Sequence, residues 1–315
     1  MGDANTVLII GRNGQVARSL DETLTSHGHS VIKIGRPEVN LADPRTISNA
    51  IIAARPRWVI NSAAYTAVDR AEDEPEAARA ANAEGAQAAA EAAARIGAPI
   101  VHFSTDYVFD GEKRTPYVET DPVSPIGIYG QTKLAGEMLV ANANPKHIIL
   151  RTAWVFSPFG NNFAKTMLRL SKERPAINVV DDQHGNPTYA PDLADVVRQI
   201  VNRLDEWSLP SDRFGVFHAV NAGPTTWCGF AKAIIAGAAD RGAPRADVHP
   251  IETKDYPTKA QRPAYSMLST DKLARIYGIR LRPWTEALSD ALDHLVGFRD
   301  DKASNLVQQD FSKPA

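Results

Sequence analysis

The chain has 315 residues and a mass of 34.2 kDa, room for one large domain or for a core domain with a smaller lobe, and its 35 basic and 37 acidic residues leave a formal charge of -2. No basic run interleaved with aromatics occurs, so nucleic acid is not an expected partner. The single cysteine, Cys228, excludes an internal disulfide and fits a reducing compartment, and no apolar run reaches the roughly 20 residues of a membrane span, so a cytoplasmic protein without a membrane partner is expected.

In chain order, MGDANTV lacks the basic and long apolar regions of a secretion signal, and its match to the myristoylation pattern is read as coincidence, since Asp3 follows the glycine and a strand begins at once. TVLIIG (6–11) is an apolar strand ending in glycine, and the segment after it carries helical spacing at Val16, Leu20 and Leu24. SVIKIGR (30–36) predicts a second strand. Asp43 and Pro44 then stand as N-cap and first residue of a helix reaching about Ala54. WVINSAA (58–64) reads as a third strand, 74–98 as a long alanine-rich helix, and PIVHFSTDYVF (99–109) as a fourth strand. Nearly apolar strands alternating with helices predict an α/β fold, a doubly wound parallel sheet covered on both faces.

A helix carrying Tyr129 and Lys133, a strand over 147–156, a helix over 162–173 and a strand over 177–183 follow. From about 223 the pattern loosens into helical patches at 226–241 and 284–297 between loops rich in Pro, Arg and Asp. These features predict a dinucleotide-binding domain over 1–150 and about 176–222, a smaller substrate lobe over about 151–175 and 223–298, and a weakly ordered tail over 299–315.

GRNGQVA (11–17) puts Gly11, Gly14 and Ala17 directly after the first strand, where small residues let backbone approach a pyrophosphate at a helix N-terminus; Arg12, Asn13, Gln15 and Val16 belong to the same turn. The second strand ends in Gly35 and Arg36 rather than the Asp or Glu that holds an NAD ribose, and with Arg12 this favours a 2′-phosphate. NADPH is the expected cofactor, with NADH possible. Ser104, Thr105 and Asp106 lie at the C-terminal end of the fourth strand, where ligands meet open parallel sheets. Tyr129 and Lys133 stand four apart, on one face of a helix with β carbons about 5 to 6 Å apart, so the ammonium is expected to lower the phenol pKa and make it a usable general acid.

GRNGQVA, NSAAYTAVDRAE (61–72), STDYVFDG (104–111), YGQTK and RTAWVF resemble the extended short-chain dehydrogenase/reductases, a Rossmann-fold superfamily. Within it, STDYVFDG, DDQHGNPTYAPDLA (181–194) and RPAYSMLST (262–270) are similar to the dTDP-4-dehydrorhamnose reductase family over about residues 6–295. The resemblance implies reduction of dTDP-4-dehydro-L-rhamnose to dTDP-L-rhamnose, with Tyr129 as proton donor, Lys133 as its tuner and ribose contact, and Thr105 orienting the carbonyl. It implies Ala63, Ala64 and Tyr65 along the cofactor, with Asp43 among the cofactor residues. Ser104, Asp106 and Tyr107 would lie next to the sugar, Trp154 would form an aromatic wall, and Arg262 would pair with the diphosphate. Asn82 resembles a proton-relay asparagine but is read here as a local kink. Some relatives are magnesium-dependent dimers with a glutamate in the Gly-rich turn; this chain has Gln15 there and no ligand cluster with metal spacing, so no metal is expected and either a monomer or a homodimer is compatible. Two other readings share the resemblance: a non-catalytic NADP-binding regulatory subunit like that of methionine adenosyltransferase, and a nucleotide-sugar epimerase or dehydratase.

Overall fold

Five consecutive buried residues, Thr6–Ile10 (β1), form a strand that has helices above and below it. The computed structural model describes residues 5–203 and 212–297, so the expected tail over 299–315 lies outside the described residues. After β1 come Gln15–Ser26 (α1), Ser30–Ile34 (β2), Pro44–Ala54 (α2) and Trp58–Asn61 (β3). Val68–Ala71 (α3), Pro75–Arg79 (α4), a π-helical turn over Ala80–Glu84 and Gly85–Arg95 (α5) lead to Ile100–Thr105 (β4). Ile128–Ala143 (α6), His147–Thr152 (β5), Val155–Phe156 (β6), Phe163–Glu173 (α7), Ala176–Val180 (β7), His184–Gly185 (β8) and Thr188–Tyr189 (β9) follow. The described chain ends with Ala190–Val201 (α8), Gly215–His218 (β10), Thr225–Thr226 (β11), Trp227–Asp240 (α9), Asp247–Ile251 (β12), Asp271–Tyr277 (α10) and Trp284–Val296 (α11).

The central sheet has the order β10-β5-β4-β3-β1-β2 and every pairing in it is parallel. One face buries Val7, Ile9, Ile60, Phe103 and Leu150 against Leu20 and Leu24 of α1 and Leu193 and Val197 of α8; the other buries Leu8, Ile10, Val59 and Ile149 against Ile47 and Ile51 of α2 and the alanines of α5. The doubly wound architecture is therefore present, and the chain turns to opposite sides of β1 on leaving it, toward β2 and then toward β3. Ligands of open α/β sheets bind at that switch point, beyond the strands' carboxyl ends.

The second lobe packs α7, α9 and α11 around Phe156, Ile177, Phe230, Ile234, Trp284 and Leu288. One expectation differs here. The strand read at 177–183 with the cofactor domain is β7, and it pairs in parallel with β12 inside the second lobe. Its burial alternates, with Ile177 and Val179 inside and Ala176 and Asn178 exposed, as suits a strand covered on one face only. The sixth strand of the main sheet is instead β10, paired with β5. The long strand expected over 147–156 stops at Thr152, and Trp154 adopts φ +47°, turning the chain out of the sheet into β6.

Candidate active site

Gly11 ends β1 at φ +128°, and a β carbon there would stand 2.9 Å from Ser62 Oγ, so this sharp turn beside β3 requires glycine. The turn is fixed by Gly11 N–H donating to Ile34 O at 2.8 Å. Gly14 is the N-cap of α1, with no side-chain cap and no acidic residue in the first turn. A β carbon on Gly14 would meet nothing within 4 Å. Uncapped N–H groups facing open space at a positive helix end suit an anionic group, so Gly11, Asn13, Gly14 and Val16 fit the phosphates of a dinucleotide.

Arg12 and Arg36 differ in state. Arg36 is exposed, whereas Arg12 Nη1 pairs with Glu38 Oε2 at 2.7 Å. Glu38 thus supplies, two residues beyond Arg36, a carboxylate that the end of β2 itself lacks. Asp43 caps α2, accepting from Arg45 N–H at 3.2 Å. Gln15 turns its amide toward the second lobe: Nε2 donates to Val155 O at 3.3 Å, while Oε1 accepts from Ser157 Oγ and Asn162 Nδ2, both at 2.9 Å.

Tyr129 lies in the first turn of α6, whose seating is fixed from two sides. Ile128 N–H donates to Glu72 Oε1 at 2.9 Å, and a β carbon at Gly130 would come within 2.2 Å of Tyr107 O, so the helix approaches the 3-10 turn Asp106–Val108 as closely as a residue without a side chain permits. The Tyr107 ring stands edge-on to Tyr129 at 5.7 Å. At the end of β4, Thr105 Oγ1 donates to Asp106 Oδ1 at 3.0 Å and accepts from Tyr107 N–H at 3.2 Å. It also contacts the Tyr129 hydroxyl, and so stands between phenol and carboxyl.

The electrostatics correct one expectation. Burial drives the Tyr129 phenol up to about 12, with the Thr105 hydrogen bond opposing it and the Asp106 charge adding to it. Lys133 Nζ donates to Phe103 O at 2.6 Å, and burial pulls its ammonium down to about 8 against the support of Glu137. Burial of the phenol sets the direction, so it moves up rather than down as the four-residue spacing suggests. Asp106 is pushed up to about 6 by burial, against hydrogen bonds from Ser266 and Thr105.

The remaining predicted residues fall into place unevenly. Ser104 is buried at the end of β4. Ala63 and Ala64 follow β3, and Tyr65 is held by Asn82: Tyr65 N–H donates to Asn82 Oδ1 at 2.7 Å, and Asn82 Nδ2 donates to Tyr65 O and Thr132 Oγ1, both at 3.1 Å. Asn82 sits in the π-helical turn, so it marks a local distortion of the helix and also ties the loop after β3 to α6. Trp154 stacks on Trp227, with ring centroids 3.7 Å apart. Arg262 forks onto Asp69, with Nη1 to Oδ1 at 3.1 Å and Nη2 to Oδ2 at 2.7 Å, which closes the strap 258–262 onto α3. Sequence reasoning singled out neither Glu72 nor Ser266, although both lie inside quoted motifs, NSAAYTAVDRAE and RPAYSMLST. Among the described residues no group of three His, Cys, Asp or Glu could hold a metal ion, and no helix is long and apolar enough to cross a membrane.

A family model described as the RmlD substrate binding domain matches residues 5–296. A dTDP-4-dehydrorhamnose reductase of Sinorhizobium fredii is 46% identical over 89% of this chain and 94% of its own length. The chain belongs to the dTDP-4-dehydrorhamnose reductase family. The Escherichia coli member is 39% identical over 92% of this chain and 97% of its own. The crystal structure of a Clostridium acetobutylicum dTDP-4-dehydrorhamnose reductase superposes with a TM-score of 0.86 at 38% identity, covering 92% of this chain and 99% of that one. That of the Bacillus anthracis reductase, in complex with NADP, gives 0.84 at 36% identity with the same coverage. Membership makes the protein an oxidoreductase.

Proposed function

We propose that this protein reduces dTDP-4-dehydro-6-deoxy-L-mannose to dTDP-L-rhamnose with NADPH, the last step of dTDP-L-rhamnose synthesis. The observation that carries the reading is the convergence of Tyr129, Thr105 and Lys133 at β4, whose carboxyl end lies on the same edge of the parallel sheet as the Gly11–Gly14 turn after β1, in a member of this family. The Bacillus anthracis relative solved with NADP supports the choice of cofactor.

NADPH supplies the hydride. Everything else falls to the protein. The Gly11–Gly14 turn and the N-terminus of α1 would hold the pyrophosphate, Arg36 the 2′-phosphate, and Ala63, Ala64, Tyr65 and Lys133 the nicotinamide side. A reduced carbonyl carries charge that needs a proton near pH 7, and a donor must come within about 2.6 to 3.2 Å of the oxygen. Tyr129, held protonated by its raised pKa, retains the proton to give. Thr105, on turning its hydroxyl proton away from Asp106, would offer the same oxygen a second hydrogen bond. Lys133, still largely charged at neutral pH, favours the phenolate left behind and so lowers the cost of the transfer. Trp154 on Trp227 would form the apolar wall and Ser104, Asp106 and Tyr107 the polar lining of the sugar site. Arg262, once drawn from Asp69, would meet the diphosphate.

Purified protein mixed with NADPH and a panel of dTDP-4-keto sugars tests the reading through loss of nicotinamide absorbance. Stoichiometric oxidation with the L-lyxo 4-keto sugar is expected. An epimerase or dehydratase would return its hydride and show no net consumption, and a regulatory subunit would bind NADP without turnover; either result would reject the reductase.

A further inference from the structure

Helix α6 carries two buried charges one turn apart: Lys133, 2% exposed, and Glu137, 4% exposed, both against the sheet. Beneath Glu137 lies Arg151 of β5, also 4% exposed, whose Nε donates to Oε1 at 2.9 Å and Nη2 to Oε2 at 2.7 Å. Each carboxylate oxygen thus takes one prong of the guanidinium, a geometry only arginine provides. The lysine ammonium a turn away is left to the carbonyl of Phe103, its one hydrogen bond, and is not captured by the carboxylate.

Other groups in this layer carry little charge. His102 on β4 bonds Asn61 through Nδ1 and is driven well below the usual imidazole range by burial and then by Lys133. His218 on β10 is pushed down to about 3 by burial and then by Arg151. Both are therefore neutral around pH 7. From beyond β4 come Asp106 and, from α6 itself, Tyr129. Glu137 is the carboxylate acting on Lys133, and Arg151 is the cation that would stand there alone without it.

We infer that the Glu137–Arg151 pair is a positioning device for Lys133, in which Glu137 supports the buried ammonium while Arg151 occupies both carboxylate oxygens, so that the ammonium is held on the Phe103 carbonyl of β4 and not on Glu137. This rests on the role given to Lys133 above. A buried ion pair contributes little net stability compared with apolar residues of similar volume, so its presence is better explained by the field it sets up than by the fold it holds.

The double substitution Glu137→Gln/Arg151→Met removes both charges without stranding either, and 13C NMR of lysine Cε, with Lys133 assigned by its absence from Lys133→Arg, reads the ammonium directly in the full chain. The Lys133 midpoint should fall by about one pH unit, and above that midpoint kcat should drop about tenfold while the KM of the keto sugar holds. Arg151→Lys is the second variant: it keeps a cation but loses the fork, so the Lys133 midpoint should rise and kcat fall as the freed oxygen draws the ammonium in. A Lys133 midpoint unmoved in both folded variants overturns the inference. A fall in the double variant together with a rise in Arg151→Lys supports it, a movement in the opposite direction in either overturns it, and a Lys133→Met variant with full turnover would instead strike at the reading of the site.

Discussion

Arg12 Nη1 lies 2.7 Å from Glu38 Oε2, an ion pair whose side chains are 38% and 63% exposed. One of the two guanidinium groups expected at the adenosine ribose is thus already partnered, and the cofactor preference falls chiefly to Arg36. Arg36→Asp should weaken NADPH by roughly 10- to 150-fold while changing NADH little, the range of one charge-assisted contact of about 1.5 to 3 kcal/mol. Glu38→Gln should act the other way and tighten NADPH by freeing Arg12. Titrations of both cofactors by nicotinamide fluorescence decide this, and equal effects on the two would refute it.

Tyr129→Phe deletes the acidic proton but keeps the ring against Tyr107. Turnover should fall by about 10² to 10⁴, the usual worth of general acid catalysis, with NADPH affinity and thermal midpoint nearly unchanged. Stopped-flow single turnovers measure the chemical step. A folded variant with near wild-type rate would remove Tyr129 from the mechanism.

Asp106 gives a pH signature in stability. Its folded pKa of about 6 lies above the ordinary 3.8, so the folded protein holds this proton more tightly than the unfolded chain. Its contribution is complete below about pH 4 and is lost as pH rises through 6, a difference of about 3 kcal/mol at most. Asp106→Asn has no such loss, so its stability relative to wild type should increase from pH 4 to 6 and level off above. Urea unfolding of both proteins across that window checks the sign; a difference that stays flat with pH would refute the buried carboxylate.

Metal removal should leave activity unchanged. The side chain in the Gly-rich turn is an amide whose oxygen is already bonded to Ser157 and Asn162 and whose nitrogen reaches Val155. Assays after dialysis against EDTA, with and without added magnesium, are expected to agree; restoration by magnesium would count against this.

The cofactor half of the fold could be read from sequence because its strands are short apolar runs buried on both faces, as in TVLII and WVIN. β10 escaped because GVFH has four residues, two of them Gly and His, and leaves little apolar pattern. Chain order alone places β7 with the cofactor domain, whereas it pairs with β12, and its alternation of exposed and buried positions in AINVV is the period of two of a strand covered on one side. In the site, the Tyr129–Lys133 spacing was readable but its sign was not, since desolvation depends on how deeply α6 is packed. The cross-lobe contacts of Gln15, and Asp69 with Arg262, join residues far apart in sequence that no local pattern connects. Asn82 was seen as a kink, and its bonds to Tyr65 and Thr132 emerge only once the π-helical turn aims its amide at them.

The order in which the chain visits its two halves restricts how new variants of this protein can arise. After β5 it leaves the main sheet for β6 and α7, returns with α8 and β10, departs again for α9 and β12, and comes back a second time when Leu273 and Tyr277 of α10 join the main core. No single cut separates the halves, so a hybrid gene joined once near Thr152 would set α8, β10 and α10 of one parent against α1 and β5 of the other. Such chimeras should lose solubility before they lose selectivity, and a change of substrate is reached more readily by replacing side chains around Trp154 and Trp227 than by exchanging a block of sequence.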